Sequence, residues 1–176
     1  MIFHPQELAG AFVIELQRFE DNRGFFARTW DPEAFASHGL NPRLAQCSVA
    51  YNRIAGTVRG MHWQDAPHEE AKLVRVTAGA IFDVIIDLRP SSPTYTKWLG
   101  VELAAGDGRM LYVPEGFAHG YITLADGTEV TYGISAAYAP EAARGVRWDD
   151  PAFGVRWPRE VVCISDRDRT YPDFTP

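Results

Sequence analysis

Short β-rich runs recur along nearly the whole chain, separated by clusters of Gly, Pro, Asn and Asp. This punctuation is typical of strands joined by tight turns. The sequence predicts a helix only over Pro32–His38, where Pro occupies a first-turn position and Gly39 follows the end. About ten or eleven short strands with almost no helix indicate a β-sandwich or a closed barrel. The predicted strands are Ala11–Gln17, Phe25–Trp30, Leu44–Tyr51, Thr57–Gln64, Lys72–Thr77, Ile81–Asp87, Lys97–Leu103, Met110–Val113, Gly120–Leu124, Glu129–Ser135 and Val161–Ile164.

Length and charge limit what such a fold can do. A chain of 176 residues without internal repeats or linkers predicts one domain, residues 1–176. The strand-poor segment Tyr138–Pro158 is expected to wrap the barrel as ordered loops. A net charge of −6 argues against a nucleic-acid partner, whose binding needs a basic surface. An anionic ligand would therefore need a local cluster of cations.

The sequence also predicts where the protein works. No basic segment followed by a long apolar stretch stands near the N-terminus, so no signal peptide is expected. The longest apolar runs are too short for a membrane span, and no membrane partner is expected. Cys47 and Cys163 lie far apart without CxxC spacing. We expect both to be reduced core thiols in a cytoplasmic protein.

Three polar residues interrupt otherwise apolar strand faces. Lys72 shares a face with Val74 and Val76, while Asp83 and Tyr132 also alternate with aliphatic residues on their strands. A buried Lys would need a partner, because burial disfavours its charged form. Both faces of a barrel strand can be apolar, so parity leaves open which side is inner. The alternatives are a salt-bridged Lys72 at the rim, a capped Asp83, and a core Tyr132 whose hydroxyl is satisfied.

The run Thr57–Gln64 is the most informative strand. Arg59 and His62 have opposite parity and could not face one pocket on a regular strand. Gly60 lies between them, and glycine within a strand often marks a bulge that redirects a side chain. A bulge at Gly60 would let both side chains converge on one cavity. The alternative is an outward Arg59 and a core His62.

Pro114-Glu115-Gly116-Phe117-Ala118-His119 places a second histidine after a tight turn. This run resembles the second motif of the cupin barrels. Metal-binding cupins also carry an upstream His-x-His, where this chain has His62-Trp63-Gln64. A divalent metal needs three or four ligands, and His62, His119 and Glu69 or Glu70 are the remaining set. We therefore expect no metal and no other cofactor.

The whole chain resembles a more specific family, the dTDP-4-dehydrorhamnose 3,5-epimerases. The matching stretches occur in order from about residue 12 to residue 170. They are Asp21-Asn22-Arg23-Gly24-Phe25-Phe26, Gly56–Gln64, Lys72–Val76, Phe82–Arg89, Ser92-Pro93-Thr94-Tyr95, Tyr112–Gly120, Tyr138-Ala139-Pro140, Arg147–Pro151 and Ser165-Asp166-Arg167-Asp168.

The resemblance implies an all-β, cupin-type double-stranded β-helix (a jelly-roll barrel) with few short helices. It implies a homodimeric, metal-free isomerase acting on a nucleoside-diphosphate 4-keto-6-deoxyhexose. Such an enzyme inverts C3 and C5, or C3 only, and the expected reaction converts dTDP-4-dehydro-6-deoxyglucose to dTDP-4-dehydrorhamnose.

The resemblance also implies roles for individual residues. His62 would be the general base with Asp168 as its partner, and Tyr132 the acid on the opposite face of the sugar. Lys72 would lie near the 4-keto oxygen. The substrate-binding set would be Arg23 and Arg59 for the diphosphate, with Phe26, Gln46, His119 and Tyr138, while Asp83 would orient His119.

These residue types suit the chemistry. A ketone at C4 acidifies the protons on C3 and C5, and histidine has a suitable pKa for removing them near neutral pH. An ammonium at O4 would stabilise the enolate, and a tyrosine on a facing strand could return a proton from the other side. Arginine forks match diphosphate oxygens.

Two stretches depart from the family pattern. Arg28 stands where many members carry Glu, and Cys47-Ser48-Val49-Ala50-Tyr51-Asn52 replaces the commoner residues after Gln46. Both lie where the nucleotide base would bind, which leaves thymidine and cytidine as alternatives. Two other functions remain open from the sequence: a metal-dependent cupin oxygenase or isomerase, and a non-catalytic cupin that binds sugar nucleotides.

Overall fold

The computed structural model describes residues 1–175. In chain order the elements are β1 (Ile2–Pro5), β2 (Phe12–Glu15), β3 (Phe19–Asp21), β4 (Gly24–Phe26), α1 (Pro32–Ser37), β5 (Gln46–Asn52), β6 (Thr57–Gln64), β7 (Lys72–Ala78), β8 (Ala80–Asp87), β9 (Trp98–Ala104), β10 (Arg109–Val113), β11 (Phe117–Thr123), β12 (Thr128–Ile134), β13 (Ala143–Gly145), β14 (Cys163–Ile164) and α2 (Asp166–Arg169).

Two sheets enclose the main core. The first has the order β1-β2-β10-β7-β12-β5, and the second β13-β6-β11-β8-β9 with β14 paired to β6. A buried cluster contains residues of both sheets, among them Val76 and Val130 from the first and Ile81 and Ile85 from the second. Strands β3 and β4 form a separate hairpin. The predicted all-β architecture is therefore confirmed.

The structure shows which side of each strand faces the core between the two sheets. Val74 is buried in the core between the sheets, which places its face-mate Lys72 on the inner side of β7. The Lys72 side chain is only 11% exposed, and Asp83 is fully buried. Tyr132 packs against the same core. The parity that the sequence left ambiguous is thus resolved, with all three polar residues pointing between the sheets.

The outer face of each sheet is covered by a different segment. On the first sheet, Phe35 of α1 packs in a cluster with Ile14 and Met110. Asp31 caps this helix by accepting from the backbone N–H groups that follow it, so the predicted helix is confirmed with its end at Ser37. On the second sheet, Val146 and Phe153 pack with strand residues. The predicted wrapping by residues 138–158 is likewise observed.

A buried carboxylate fixes the turn after β8. Asp87 accepts hydrogen bonds from Arg89 Nε at 2.9 Å, Ser92 Oγ at 2.5 Å and Thr94 Oγ1 at 2.7 Å. Burial by itself raises the pKa of this carboxyl, but the hydrogen bonds outweigh burial and lower the pKa to about 2. Asp87 pairs with Phe117 in the ladder and so anchors the start of β11, which carries His119.

Several short elements were not predicted. β1, β3, β13 and α2 each span four residues or fewer, and such lengths show no clear periodicity of 2 or 3.6. The predicted strand from Phe25 ends at Phe26 instead of Trp30.

The predicted burial of the cysteines is wrong. Cys47 and Cys163 are both free and exposed. Cys47 lies on β5, an edge strand of the first sheet, and Cys163 lies on the two-residue β14. Neither helix within residues 1–175 is long and apolar enough to cross a membrane.

Candidate active site

A cavity of about 710 Å³ opens between the two sheets. Strands β5, β7 and β12 line it from the first sheet and β6 and β11 from the second, while residues of β14 and α2 close one side. Such a volume suits a small-molecule ligand. The predicted site residues that line the cavity are Gln46, Arg59, His62, Lys72, His119, Tyr132, Tyr138 and Asp168.

The predicted irregularity at Gly60 is observed. On β11, His119 pairs with His62 and Tyr121 with Arg59, so two residues of β6 oppose one residue of β11. This bulge changes the parity and lets Arg59 and His62 line the same cavity. Gly60 has φ +120°, and a Cβ there would lie 2.5 Å from the Cα of Gly120. Only glycine fits this contact between β6 and β11.

His62 is held by a buried carboxylate. Its Nε2 lies 2.6 Å from Asp168 Oδ1, and the backbone N–H of Gly60 donates to Oδ2 at 3.2 Å. Burial acts to raise the pKa of Asp168, but the bonds and charge of His62, with those from Gly60 and Ser165, make the net shift downward. Asp168 is therefore ionised at neutral pH. Since Nε2 is engaged, Nδ1 is the ring nitrogen that can take a proton.

The C-terminal segment brings Asp168 to this position. Cys163 and Ile164 pair in parallel with Thr57 and Val58 of β6. Ser165 then caps α2 by accepting from the backbone N–H of Asp168 at 3.1 Å. The sequence separates His62 and Asp168 by 106 residues. The pairing could be expected only from the family resemblance, and the structure brings the two together.

Lys72 has a partner that the sequence did not assign. Its Nζ lies 2.9 Å from Glu70 Oε1, and both side chains are largely buried. Glu70 also lines the cavity. The sequence marked Glu70 only as a metal-ligand candidate, whereas the structure engages its carboxylate with the ammonium. This pairing gives the Lys72 ammonium a counter-ion inside the molecule.

His119 is hydrogen-bonded to Asp83, the residue that the resemblance places beside it. Its Nε2 lies 2.7 Å from Asp83 Oδ1, and both side chains are buried. The His119 ring lies 6.2 Å from the Tyr132 ring in an edge-on arrangement. Tyr132 itself extends from β12 on the facing sheet. Burial is the main cause that raises the pKa of Tyr132 well above its usual value. Its hydroxyl therefore stays protonated and can act as an acid.

Three arginines line the cavity. Arg59 donates from Nε to Asn52 Oδ1 at 2.8 Å and from Nη2 to the Tyr51 carbonyl at 3.2 Å. Arg144 and Arg167 also line the cavity, although sequence reasoning missed both. Arg167 stands next to Asp168 in the motif that carries the resemblance, which was an available signal. Arg144 is ion-paired with Asp65 at 2.7 Å, so Arg59 and Arg167 supply most of the local positive charge that the acidic chain needs for an anionic ligand.

Two predicted binding residues lie outside this cavity. Arg23 is 85% exposed and pairs with Asp21, and Phe26 is 68% exposed on the same hairpin. Neither belongs to the lining of the cavity in this chain. Arg28 also points elsewhere, because its guanidinium pairs with Asp31 at the start of α1. In contrast, Gln46 and Tyr138 meet at the rim, where Gln46 Oε1 accepts from the Tyr138 N–H at 2.8 Å.

Gln64 stands where metal-binding cupins carry the second histidine, and its side chain has a structural role here. Gln64 Nε2 donates to the His68 carbonyl at 2.8 Å, and its Oε1 accepts from the Ala139 N–H at 2.7 Å. Both polar ends of this side chain are thus engaged in holding neighbouring loops. Within residues 1–175, no group of three or more His, Cys, Asp and Glu side chains is arranged to hold a metal ion.

Comparison with known proteins identifies close relatives. A family model described as dTDP-4-dehydrorhamnose 3,5-epimerase matches residues 5–175. A protein of that name from Sinorhizobium fredii is 40% identical over 175 residues, which are 99% of this chain and 90% of that protein.

Solved structures agree with this result. The dTDP-4-dehydrorhamnose 3,5-epimerase from Bacillus anthracis, with TDP and PPi bound, has a TM-score of 0.92 at 38% identity and covers 96% of this chain and 97% of its own. A 3'-monoepimerase from Streptomyces bikiniensis in complex with dTDP-quinovose has a TM-score of 0.88 at 31% identity, covering 97% and 86%. These similarities confirm the expected cupin-type jelly-roll fold.

Proposed function

The chain belongs to the dTDP-4-dehydrorhamnose 3,5-epimerase family, and on that premise we propose that it inverts C3 and C5 of dTDP-4-dehydro-6-deoxyglucose. One observation carries this proposal more than any other. The base candidate His62 and the acid candidate Tyr132 extend from facing sheets into one cavity. Inversion at carbon requires a proton to leave one face and another to arrive from the opposite face, which this arrangement permits.

In the proposed mechanism, His62 Nδ1 removes the proton next to the 4-keto group while Asp168 stabilises the resulting imidazolium. Lys72 Nζ stabilises the negative charge that develops on O4 of the enolate. Tyr132 then donates its hydroxyl proton to the same carbon from the other side. The cycle ends when His62 loses its proton and Tyr132 regains one from water, so no net proton is consumed.

Substrate binding in this proposal uses the rim of the cavity. Arg59, Arg144 and Arg167 bind the diphosphate, because guanidinium groups match phosphate oxygens in charge and geometry. Gln46 and Tyr138 contact the nucleotide or the sugar, and His119 assists Lys72 near the 4-keto oxygen. General acid–base catalysis contributes about 10²–10⁴-fold, so much of the acceleration must come from stabilising the enolate.

The test is an NMR time course in D2O with dTDP-4-dehydro-6-deoxyglucose, and in parallel with the CDP analogue. We expect deuterium at C3 and C5 and a product of rhamno configuration. Exchange and inversion at C3 alone would identify a monoepimerase, the activity named for the relative from Streptomyces bikiniensis. Absence of exchange with both nucleotides would overturn the proposal.

A metal-dependent reaction is the competing proposal to exclude. Activity should persist after prolonged dialysis against EDTA, because Asp168 and Asp83 engage the Nε2 atoms of His62 and His119, the two histidines that a cupin metal would need. Loss of activity on dialysis with recovery on adding one divalent metal would favour the metal-dependent alternative.

We also propose a homodimer whose contact lies on the β5 edge and the β3–β4 hairpin. Phe19, Phe25 and Phe26 on the hairpin, and Val49 and Tyr51 on β5, are all exposed. Residues of β5 line the cavity as well, so a second copy at this edge would lie beside the site. Arg23 and Phe26 could then serve the cavity of the partner. Light scattering coupled to gel filtration measures the molar mass in solution. A mass equal to that of a single chain would refute the dimer.

We propose further that residues 1–176 act as one cupin-like domain in the cytoplasm. The two exposed free thiols fit a reducing compartment, where they would stay unpaired. The test is to fractionate cells that express a fluorescent fusion of the protein. Fluorescence in the envelope fraction would contradict this location.

A further inference from the structure

The guanidinium of Arg59 is held along one edge by the end of β5. Its Nε donates to Asn52 Oδ1 at 2.8 Å and its Nη2 to the Tyr51 carbonyl at 3.2 Å. A guanidinium carries five N–H donors in a fixed fork. Nε and Nη2 form its side edge, so these two bonds leave the outer edge, formed by Nη1 and Nη2, for another partner. Arg59 is exposed and lines the cavity, where a ligand can meet that edge.

Asn52 is itself fixed by groups other than Arg59. It is 2% exposed, and its Nδ2 donates to the Thr128 carbonyl at 3.2 Å. The Tyr121 hydroxyl accepts from the same Nδ2 at 3.2 Å and donates to Oδ1 at 3.4 Å. Turning the amide over would lose the bond to Thr128 and would set an N–H against the Nε–H of Arg59. The amide therefore presents its oxygen to the guanidinium.

The charge of this anchor differs from that of other arginine contacts in the chain. Arg144, which lines the same cavity, is ion-paired with Asp65 at 2.7 Å, and Arg89 is ion-paired with Asp87 at 2.7 Å. The two acceptors of Arg59 are a side-chain amide and a peptide carbonyl, which are both neutral. A carboxylate would orient a guanidinium and also compensate its charge. A neutral acceptor orients it and leaves the positive charge for a ligand.

The anchor also lies where the chain crosses between the sheets. Asn52 is the last residue of β5 in the first sheet, and Arg59 lies on β6 in the second. A purely structural link at this crossing would hold equally well with a carboxylate, which makes a stronger hydrogen bond to arginine than an amide does. The neutral acceptor is therefore the feature that points to a ligand.

We propose that Asn52 is a positioning residue for diphosphate binding. It presents the outer edge of the Arg59 guanidinium to the phosphate oxygens and leaves the charge of that group uncompensated. Asn52 acts through Arg59 and does not touch the substrate. The proposal rests on the diphosphate-binding role of Arg59 within the epimerase function proposed above.

The first experiment replaces Asn52 by Asp, which keeps the shape and the acceptor but adds a negative charge to the anchor. Binding of dTDP is measured by titration calorimetry and binding of thymidine by NMR titration. We expect the Kd of dTDP to rise about 10-fold, the lower end of the loss for a hydrogen bond between charged groups. The affinity for thymidine should stay within about twofold, because thymidine carries no phosphate for Arg59 to bind.

The second experiment replaces Asn52 by Ala and tests orientation without adding charge. The freed guanidinium must be ordered when dTDP binds, so we expect the Kd to rise about 3- to 10-fold. With the dTDP sugar as substrate, the loss should appear in KM, with kcat within about threefold. In an Arg59→Ala background, Asn52→Ala should change the Kd of dTDP by less than about twofold, because its effect passes through Arg59.

Thr128→Val is the matched control. Thr128 is buried and pairs with Asn52 in the ladder, but its hydroxyl donates to the Ala125 carbonyl at 2.7 Å. The substitution keeps the backbone carbonyl that accepts from Asn52. We expect Thr128→Val to lower thermal stability and to leave the Kd of dTDP within about twofold, since the anchor of Arg59 is intact.

The outcomes separate the two proposals. If the wild-type protein does not bind dTDP, the proposed substrate fails and the role of Asn52 fails with it. If the wild type binds dTDP and folded Asn52→Asp and Asn52→Ala proteins bind it as tightly, only the role of Asn52 is overturned. Equal losses of affinity for dTDP and thymidine would also overturn that role, since they indicate general damage to the cavity.

Discussion

Replacing Asp168 by Asn probes the proposed base most directly. The substitution keeps the shape of the side chain but removes the charge that lies 2.6 Å from His62 Nε2. Two effects follow. The imidazolium formed during proton removal loses its counter-ion, and an amide N–H facing Nε2 would favour the tautomer with its proton on Nδ1, which cannot act as a base.

The size of the loss can be worked from the geometry. A hydrogen bond to a charged group contributes about 1.5–3 kcal/mol. His62 is 40% exposed, so solvent screening places this part near the lower end, about 10-fold in rate. The wrong tautomer removes much of the base contribution of about 10²–10⁴-fold. We therefore expect a loss of about 10²–10³-fold in kcat, with KM within about threefold.

The assay is the initial rate of deuterium incorporation with the dTDP sugar at neutral pH. Asp150→Asn is the matched control, because Asp150 is also a buried carboxylate but serves backbone N–H groups of Ala152 and Phe174 away from the cavity. We expect the control to lose stability and to keep its rate. A folded Asp168→Asn protein with a rate within threefold of wild type would refute the assignment of the dyad.

Three further substitutions test other parts of the structure. Gly60→Ala should lower the free energy of unfolding by about 3 kcal/mol, because a Cβ would meet the backbone of β11 in addition to the strain of a positive φ. Asp87→Asn should cost about 2 kcal/mol at pH 7, since the Asp87 pKa is lowered from 3.8 to about 2. Glu70→Ala should lower kcat about 10-fold by releasing the Lys72 ammonium, whereas Glu70→Gln retains an acceptor and at least a third of the rate.

Each of these has its own measurement. For Gly60, urea unfolding is compared with that of Gly154→Ala, which shares a positive φ but has open space around it; equal losses would contradict the steric argument. For Asp87, a depressed pKa gives stability that is present above pH 3.8 and lost as the pH falls through about 2, so the gap between variant and wild type should close over that range. A constant gap would refute the charge argument. For Glu70, equal rates of the Ala and Gln variants would contradict an anchoring role.

Whether an element could be predicted from the sequence depended mainly on its length. Strands such as β6 and β8 were predicted nearly to the residue, because each is a long run rich in apolar residues that is bounded by turn residues. The elements β1, β3, β13 and α2 escaped prediction because they are too short to show a period. The exposure of Cys47 and Cys163 was not predicted either, because the sequence does not distinguish an edge strand from a central one.

For the site, the sequence by itself determined the family and the candidate residues, and it gave a distortion at Gly60 as one of two alternatives. Only the tertiary structure decided which of them meet. It brought Asp168 to His62 through the pairing of β14 with β6, gave Lys72 its partner Glu70, and left Arg23 on an exposed hairpin. The physical reason is that local backbone preferences act over a few residues, whereas contacts between distant residues depend on which strands pair and which faces are buried.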